Sequence, residues 1–302
     1  MNKPKRQWQG VTGGRAFGQK AMKIMFRILD VRIGYAIMAL VVPFYMLFAR
    51  KGYMAIYLYF RRQHLYSSLK AFRKTYVNHF RFGQMILDRF AVYAGQKSFR
   101  LDNPDNEVFQ EMVHSKRGCI IANSHVGNPE LCGYLLSQQT KRINSLIYGG
   151  EAKEVQRNRS AILTDNNVRL IDVGEDMSHI FVINQALTDG EMISIACDRS
   201  FGSAKTVECD FFNGKADFPV GAFTLARQFD VPVIALFVLK ITASMYRIHV
   251  CKIPVIEANT KREEIYAMTR SFAEILERIV KKYPEQWFNF YKFWKDENVS
   301  LT

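Results

Sequence analysis

His125 and Glu130 stand five positions apart in the run Asn123-Ser124-His125-Val126-Gly127-Asn128-Pro129-Glu130, and of the six histidines only His125 has an acid at that distance downstream. An imidazole backed by a carboxylate is general-base chemistry. The acid on one ring nitrogen fixes the tautomer, and the other nitrogen can take a proton from a hydroxyl or an amine. No protein nucleophile is then needed. A surface histidine beside a helix-start acid has the same spacing, so the surroundings carry the weight. Gly118 to Ala122 reads as a short apolar strand, Asn128 is suited to N-cap a helix, and Pro129 to open it. Loops after such strands are where α/β proteins place their sites. The start of that helix also favours an ionised Glu130.

Three further groups could serve such a pair. Asp198-Arg199-Ser200-Phe201-Gly202 follows an apolar run ending at Cys197, and reads as either a site at a sheet edge or a loop salt bridge. In the run from Phe211 to Gly221, Asn213-Gly214 supplies a tight turn, and Pro219 and Gly221 lead into a helix whose first N–H groups could approach an anion. Lys153, Arg157, Arg159 and Arg169 form a basic set that could hold a phosphate or a developing oxyanion, or could be a solvated helix face. Arg159 and Arg199 are the candidates for oxyanion donors. The five cysteines form no CxxC pair and no cluster with the histidines. Neither a metal site nor a disulfide is therefore expected, and no cofactor is expected either.

The elements that must position these residues follow α/β grammar. Strands are expected at Cys119 to Ala122, Asn144 to Tyr148, Val168 to Val173, Met192 to Cys197, Val207 to Phe212, Val233 to Val238 and Tyr246 to Cys251. Helices are expected at Pro129 to Gln139, Lys153 to Leu163, Met177 to Leu187, Gly221 to Phe229 and Arg262 to Lys282. Continuous apolar strands between helices predict a mixed, largely parallel sheet covered by helices on both faces.

With 302 residues, 48% of them apolar, the chain can bury a full core and is not a disordered protein. Its net charge of +14 is uneven. Residues 1–100 hold 19 Lys and Arg against Asp30 and Asp88, whereas the remainder holds 23 basic and 26 acidic side chains. The basic third also contains the longest uncharged apolar stretch, Ile33 to Ala49, interrupted by Pro43, which should kink a helix there. About thirty polar and basic residues precede it, which argues against a secretory signal. Seventeen residues at ~1.5 Å each are close to the lower limit for crossing a bilayer, and both flanks are basic, so a true span and a monotopic or re-entrant anchor stay open. The next helix, roughly Phe60 to Ala94, repeats Leu65, Leu69, Phe72, Tyr76 and Phe80 between Arg and Lys residues. Its apolar stripe either lies on anionic lipid or packs on the globular domain. These features divide the chain into a basic, helical, membrane-anchoring region at 1–100 and an α/β domain at 101–302. Nucleic-acid binding is disfavoured because the second region is near neutral.

In their order along the chain, these pieces resemble the lysophospholipid acyltransferase superfamily, and within it the late acyltransferases of lipid A biosynthesis. His125 and Glu130 fit the His-x4-Asp/Glu motif, with Asn123 upstream. Asp198, Gly202, Phe211, Phe212, Gly214, Ala216, Pro219, Gly221 and Ala226 are similar to the later blocks. Tyr283-Pro284-Glu285-Gln286-Trp287 is similar to the close of those enzymes. Val220 stands where the glycerolipid branch has an acid, which argues against a plain glycerol phosphate acceptor. The resemblance implies acyl transfer from a thioester on acyl carrier protein or coenzyme A to a lipid acceptor such as a lipid A precursor. It puts this at the cytoplasmic face of a bacterial inner membrane, against an anionic surface. It gives His125 the part of base and Glu130 that of its orienting acid, with Asn123, Arg159, Asp198, Arg199, Gly214, Pro219 and Gly221 around the substrates. Amino-acid or pigment lipids as acceptors, and a thioesterase using the same pair, are the alternatives.

Overall fold

A computed structural model of the chain describes residues 16–131, 141–148, 167–173, 178–200 and 205–295. The expected helix 153–163, and with it Lys153, Arg157 and Arg159, lies outside them, as do most of the expected helix 129–139 and Gly202.

The centre is a seven-stranded sheet with the order β1-β9-β8-β2-β5-β3-β4. Its strands are β1 (Arg100–Asp102), β2 (Cys119–Asn123), β3 (Ile143–Tyr148), β4 (Val168–Val173), β5 (Met192–Ala196), β8 (Val233–Lys240) and β9 (Met245–Ile253). β8, β2, β5, β3 and β4 are parallel, and β9 runs against β8 with β1 beside it. A separate hairpin pairs β6 (Thr206–Phe211) with β7 (Gly214–Pro219). The expected mixed, largely parallel sheet is the one found.

Every residue of β8 is buried, so alternate side chains feed two cores. Val233, Ala235, Phe237 and Leu239 meet the C-terminal helix Lys261–Lys282, through Phe272 and Leu276, and the β6–β7 hairpin. Ile234, Leu236 and Val238 face the other core, shared with α4 (Ser68–Tyr93) and α5 (Asn106–His114). Phe26 of α1 (Ala16–Ile28) and Val31 and Tyr35 of α2 (Val31–Phe48) belong to that same core. α3 (Arg50–Leu58) follows α2 and packs on α4.

Several local expectations differ. The stretch from Phe60 to Ala94 is not one helix: a π-helical turn at Tyr59–Gln63 is followed by Leu65, whose φ of 53° breaks the helix, and Ser67 caps the start of α4. Leu65 of the predicted stripe is exposed at this break, and Leu69 and Phe72 point to solvent because α4 turns Ala71, Thr75 and Asn78 inward instead. α2 passes through Pro43 and stops at Ala49. Proline removes the donor to the carbonyl four residues back, and here the Tyr76 hydroxyl donates to that Ala39 carbonyl at 3.0 Å. The β6–β7 turn is centred on Phe212-Asn213, not Asn213-Gly214: Phe212 takes a φ of 55°, and Gly214 pairs with Phe211 as the first residue of β7.

Candidate active site

Strand register builds the site. β2 and β5 pair in parallel with Asn123 opposite Ala196, so His125 and Asp198, each two residues further on, leave the same end of the sheet side by side. This is the carboxyl edge of the parallel strands, where open α/β sheets bind their ligands. Asp198 grips the histidine twice. Its Oδ1 lies 2.8 Å from His125 Nδ1, and its Oδ2 accepts the His125 backbone N–H at 2.9 Å. The indole Nε1–H of Trp287 donates to Oδ2 at 3.3 Å. Burial by itself would raise the Asp198 carboxyl, but the facing imidazole, its two hydrogen bonds and the nearby Arg199 outweigh it and hold the group at about 2. The acid is 1% exposed and the imidazole 34%, and Nε2 has no partner among the described residues. A buried, ionised carboxylate therefore holds Nδ1–H and leaves the outer nitrogen free to accept a proton.

Glu130 was expected on that imidazole, and the carboxylate found there is Asp198. Between His125 and Glu130 the chain turns at Gly127, with φ 66°, and enters a helix at Pro129. That turn delivers Glu130 to α4, where Arg89 Nη1 lies 2.9 Å from Oε2 and the Tyr93 hydroxyl 2.5 Å from Oε1. Asn128 is fully buried, and its Oδ1 accepts from Arg89 Nε at 3.1 Å. The loop is pinned on its other side too. Gly127 N–H bonds the Gln286 carbonyl, Asn128 N–H bonds the Val238 carbonyl, and Phe288 N–H bonds the His125 carbonyl. A Cβ on Gly127 would collide with the Val238 carbonyl oxygen, so this position admits glycine alone.

The remaining candidates are spread more widely. Asn123 ends β2 and donates to Ser194 Oγ at 2.7 Å. Arg199 does not close on Asp198: its Nη2 donates to the Phe288 carbonyl at 2.6 Å, its guanidinium lies over Tyr291, and its buried Nε has no partner among the described residues. Gly214 lies against Trp294, Pro219 ends β7, and Gly221 opens the helix Gly221–Phe229. Among the described residues, no hydrogen bond or ion pair joins these three to His125 or Asp198. Arg169 is exposed on the edge strand β4, two strands beyond β5. Trp287 was read only as part of a terminal block. Its role as donor to Asp198 depends on a contact across 89 residues, for which periodicity holds no signal.

The dyad, the loop behind it and the terminal segment that closes on them all fall within residues 82–296, which match the family model described as bacterial lipid A biosynthesis acyltransferase. No curated protein sequence matches the chain significantly. The match covers most of the chain, including both strands of the dyad and the C-terminal aromatic segment. The chain therefore belongs to the bacterial lipid A biosynthesis acyltransferase family.

Proposed function

We propose that this lipid A-type acyltransferase moves a fatty acyl chain from a thioester, on acyl carrier protein or coenzyme A, to a hydroxyl or amine of a lipid acceptor such as a lipid A precursor. The observation that carries this reading is the partly exposed His125 seated on the buried Asp198 at the carboxyl end of the sheet. His125 Nε2 takes the proton as the acceptor oxygen or nitrogen attacks the thioester carbonyl. The tetrahedral oxyanion then collapses, the carbon–sulfur bond breaks, and the thiolate leaves with the proton from His125. Asp198 keeps the ring in one tautomer and offsets its transient charge. Glu130 acts through Arg89 and Tyr93, fixing the helix start that carries the loop. The oxyanion needs a donor worth ~3–4 kcal/mol, for which Arg159, Arg199 and backbone N–H groups are the candidates. Asn123, Gly214, Pro219 and Gly221 would shape the walls around the substrates.

The family is membrane-associated, and we assign this chain to the cytoplasmic face of a bacterial inner membrane, where thioester donors are made. Its basic first third suits an anionic surface and an acidic carrier protein. His125→Ala should lower transfer by about 10²–10⁴-fold while leaving the protein in the membrane fraction. Near-normal transfer would remove the base assignment. Product analysis with and without a lipid acceptor checks the reaction itself, since fatty acid released equally in both would make it a thioesterase.

A further inference from the structure

α2 has the composition of a membrane span and the packing of a domain helix. One stripe, Val31, Tyr35, Val42 and Met46, is buried. The opposite side exposes Ile33, Ile37, Leu40, Phe44, Leu47 and Phe48, from 46% to 86% each. α2 runs antiparallel to α4, with Tyr35 at Asp88, Met38 at Gly83 and Tyr45 at His79. Three features hold it there. A Cβ on Gly83 would collide with Met38, so the two helices touch closely. The Tyr76 hydroxyl serves the Ala39 carbonyl that Pro43 leaves open. The Tyr35 hydroxyl bonds Asp88, whose carboxylate also takes Lys240 Nζ at 2.5 Å and the Tyr246 hydroxyl, all four residues being buried.

We infer that α2 lies in the plane of the membrane surface, its exposed face sunk into the acyl region of an anionic bilayer, and does not cross it. A spanning helix must leave the polar domain for ~30 Å of hydrocarbon. α2 is 18 residues, about 27 Å at ~1.5 Å per residue, and is bound to α4 along that length. α4 cannot follow it, since it carries Lys70, Arg73, Lys74, Arg81 and Arg89. Pulling α2 away would strand the Ala39 carbonyl in lipid and open a buried ion pair. An in-plane helix meets neither difficulty. Its apolar face enters by ~5–10 Å, and the exposed cations at both ends, Arg27 and Arg32 at one and Arg50 and Lys51 at the other, reach the same layer of lipid phosphates. The docked partner is thus the lipid surface itself, and the tie from Asp88 and Lys240 to the end of β8 fixes how far the dyad stands above it.

This inference rests on the membrane location proposed above, and the test separates the two. In full-length protein in bacterial membranes, Arg27→Cys and Arg50→Cys are labelled with a membrane-impermeant maleimide in spheroplasts and in inverted vesicles. The gain over native protein is expected from one face only, and the same face, at both positions. Labelling of the two positions from opposite faces overturns the inference but keeps the membrane location, whereas protein that stays in the supernatant removes that location. A second measurement places Phe44→Trp in phosphatidylethanolamine–phosphatidylglycerol vesicles with bromines at shallow or deep acyl positions. Stronger quenching by the shallow bromines is expected, and stronger quenching by the deep ones overturns the inference.

Discussion

At the scale of single residues, the fate of the Asp198 charge governs the site. Three N–H groups converge on its carboxylate, from His125 Nδ1, the His125 backbone and Trp287 Nε1. Hydrogen bonds to a charged group contribute ~1.5–3 kcal/mol each. Trp287→Phe keeps an aromatic ring and removes one donor, so kcat should fall by about 10–100-fold with KM little changed, in steady-state kinetics on protein whose Tm shows it folded. The depressed Asp198 value also sets a pH dependence. Its stabilisation is present above the ordinary value of 3.8 and is lost as pH falls toward about 2. Asp198→Asn lacks it, so the Tm gap between native and variant protein should be widest at neutral pH and close across that acidic window. In the sequence, Asp198 could be read as a polar group at a strand end, but its partnership with His125 could not. Nearness along the chain favoured Glu130, and only the pairing of β2 with β5 brings residues 73 apart into contact.

At the scale of elements, the loop from Ser124 to Asn128 works because its neighbours leave it one conformation. Gly127 bonds the terminal segment through its N–H and crosses β8 where no side chain fits. Gly127→Ala would meet both a left-handed backbone costing ~1–3 kcal/mol and a clash with Val238, and the loop would have to move away from β8. Transfer should drop with only a modest loss of secondary structure, measured as activity beside circular dichroism, because the strands stay paired. Most of these elements were legible: apolar runs gave β2, β3, β4, β5, β6, β8 and β9 and the helices Gly221–Phe229 and Lys261–Lys282 to within a few residues. Two strands were not. β1 is three residues long, and β7 alternates Lys215 and Asp217 with small and aromatic residues beside a turn. The break at Leu65 was hidden because a leucine on an apolar stripe gives no sign of a left-handed backbone.

At the scale of the whole molecule, the basic N-terminal third and the near-neutral remainder look separable by charge, yet the packing joins them. Phe26, Val31 and Tyr35 share a core with Ile121, Ile234 and Val238 of the central sheet, and the Tyr35 hydroxyl completes the buried Asp88–Lys240 pair. A tether could be cut without harm to the domain it holds. Removing residues 1–48 would instead uncover the far side of these contacts. Five buried apolar side chains, Phe26, Val31, Tyr35, Val42 and Met46, would be lost at ~1.5–3 kcal/mol each, comparable with the ~5–15 kcal/mol that keeps a domain folded. The desolvated ion pair would lose one of its hydroxyl partners as well. The truncated protein should therefore show a Tm lowered by well over 10 °C, or no cooperative transition at all, in scanning calorimetry in detergent. An unchanged Tm would mean that α1 and α2 serve only to hold the protein at the membrane, and that the Tyr35 contact adds nothing to the stability of the sheet beneath it.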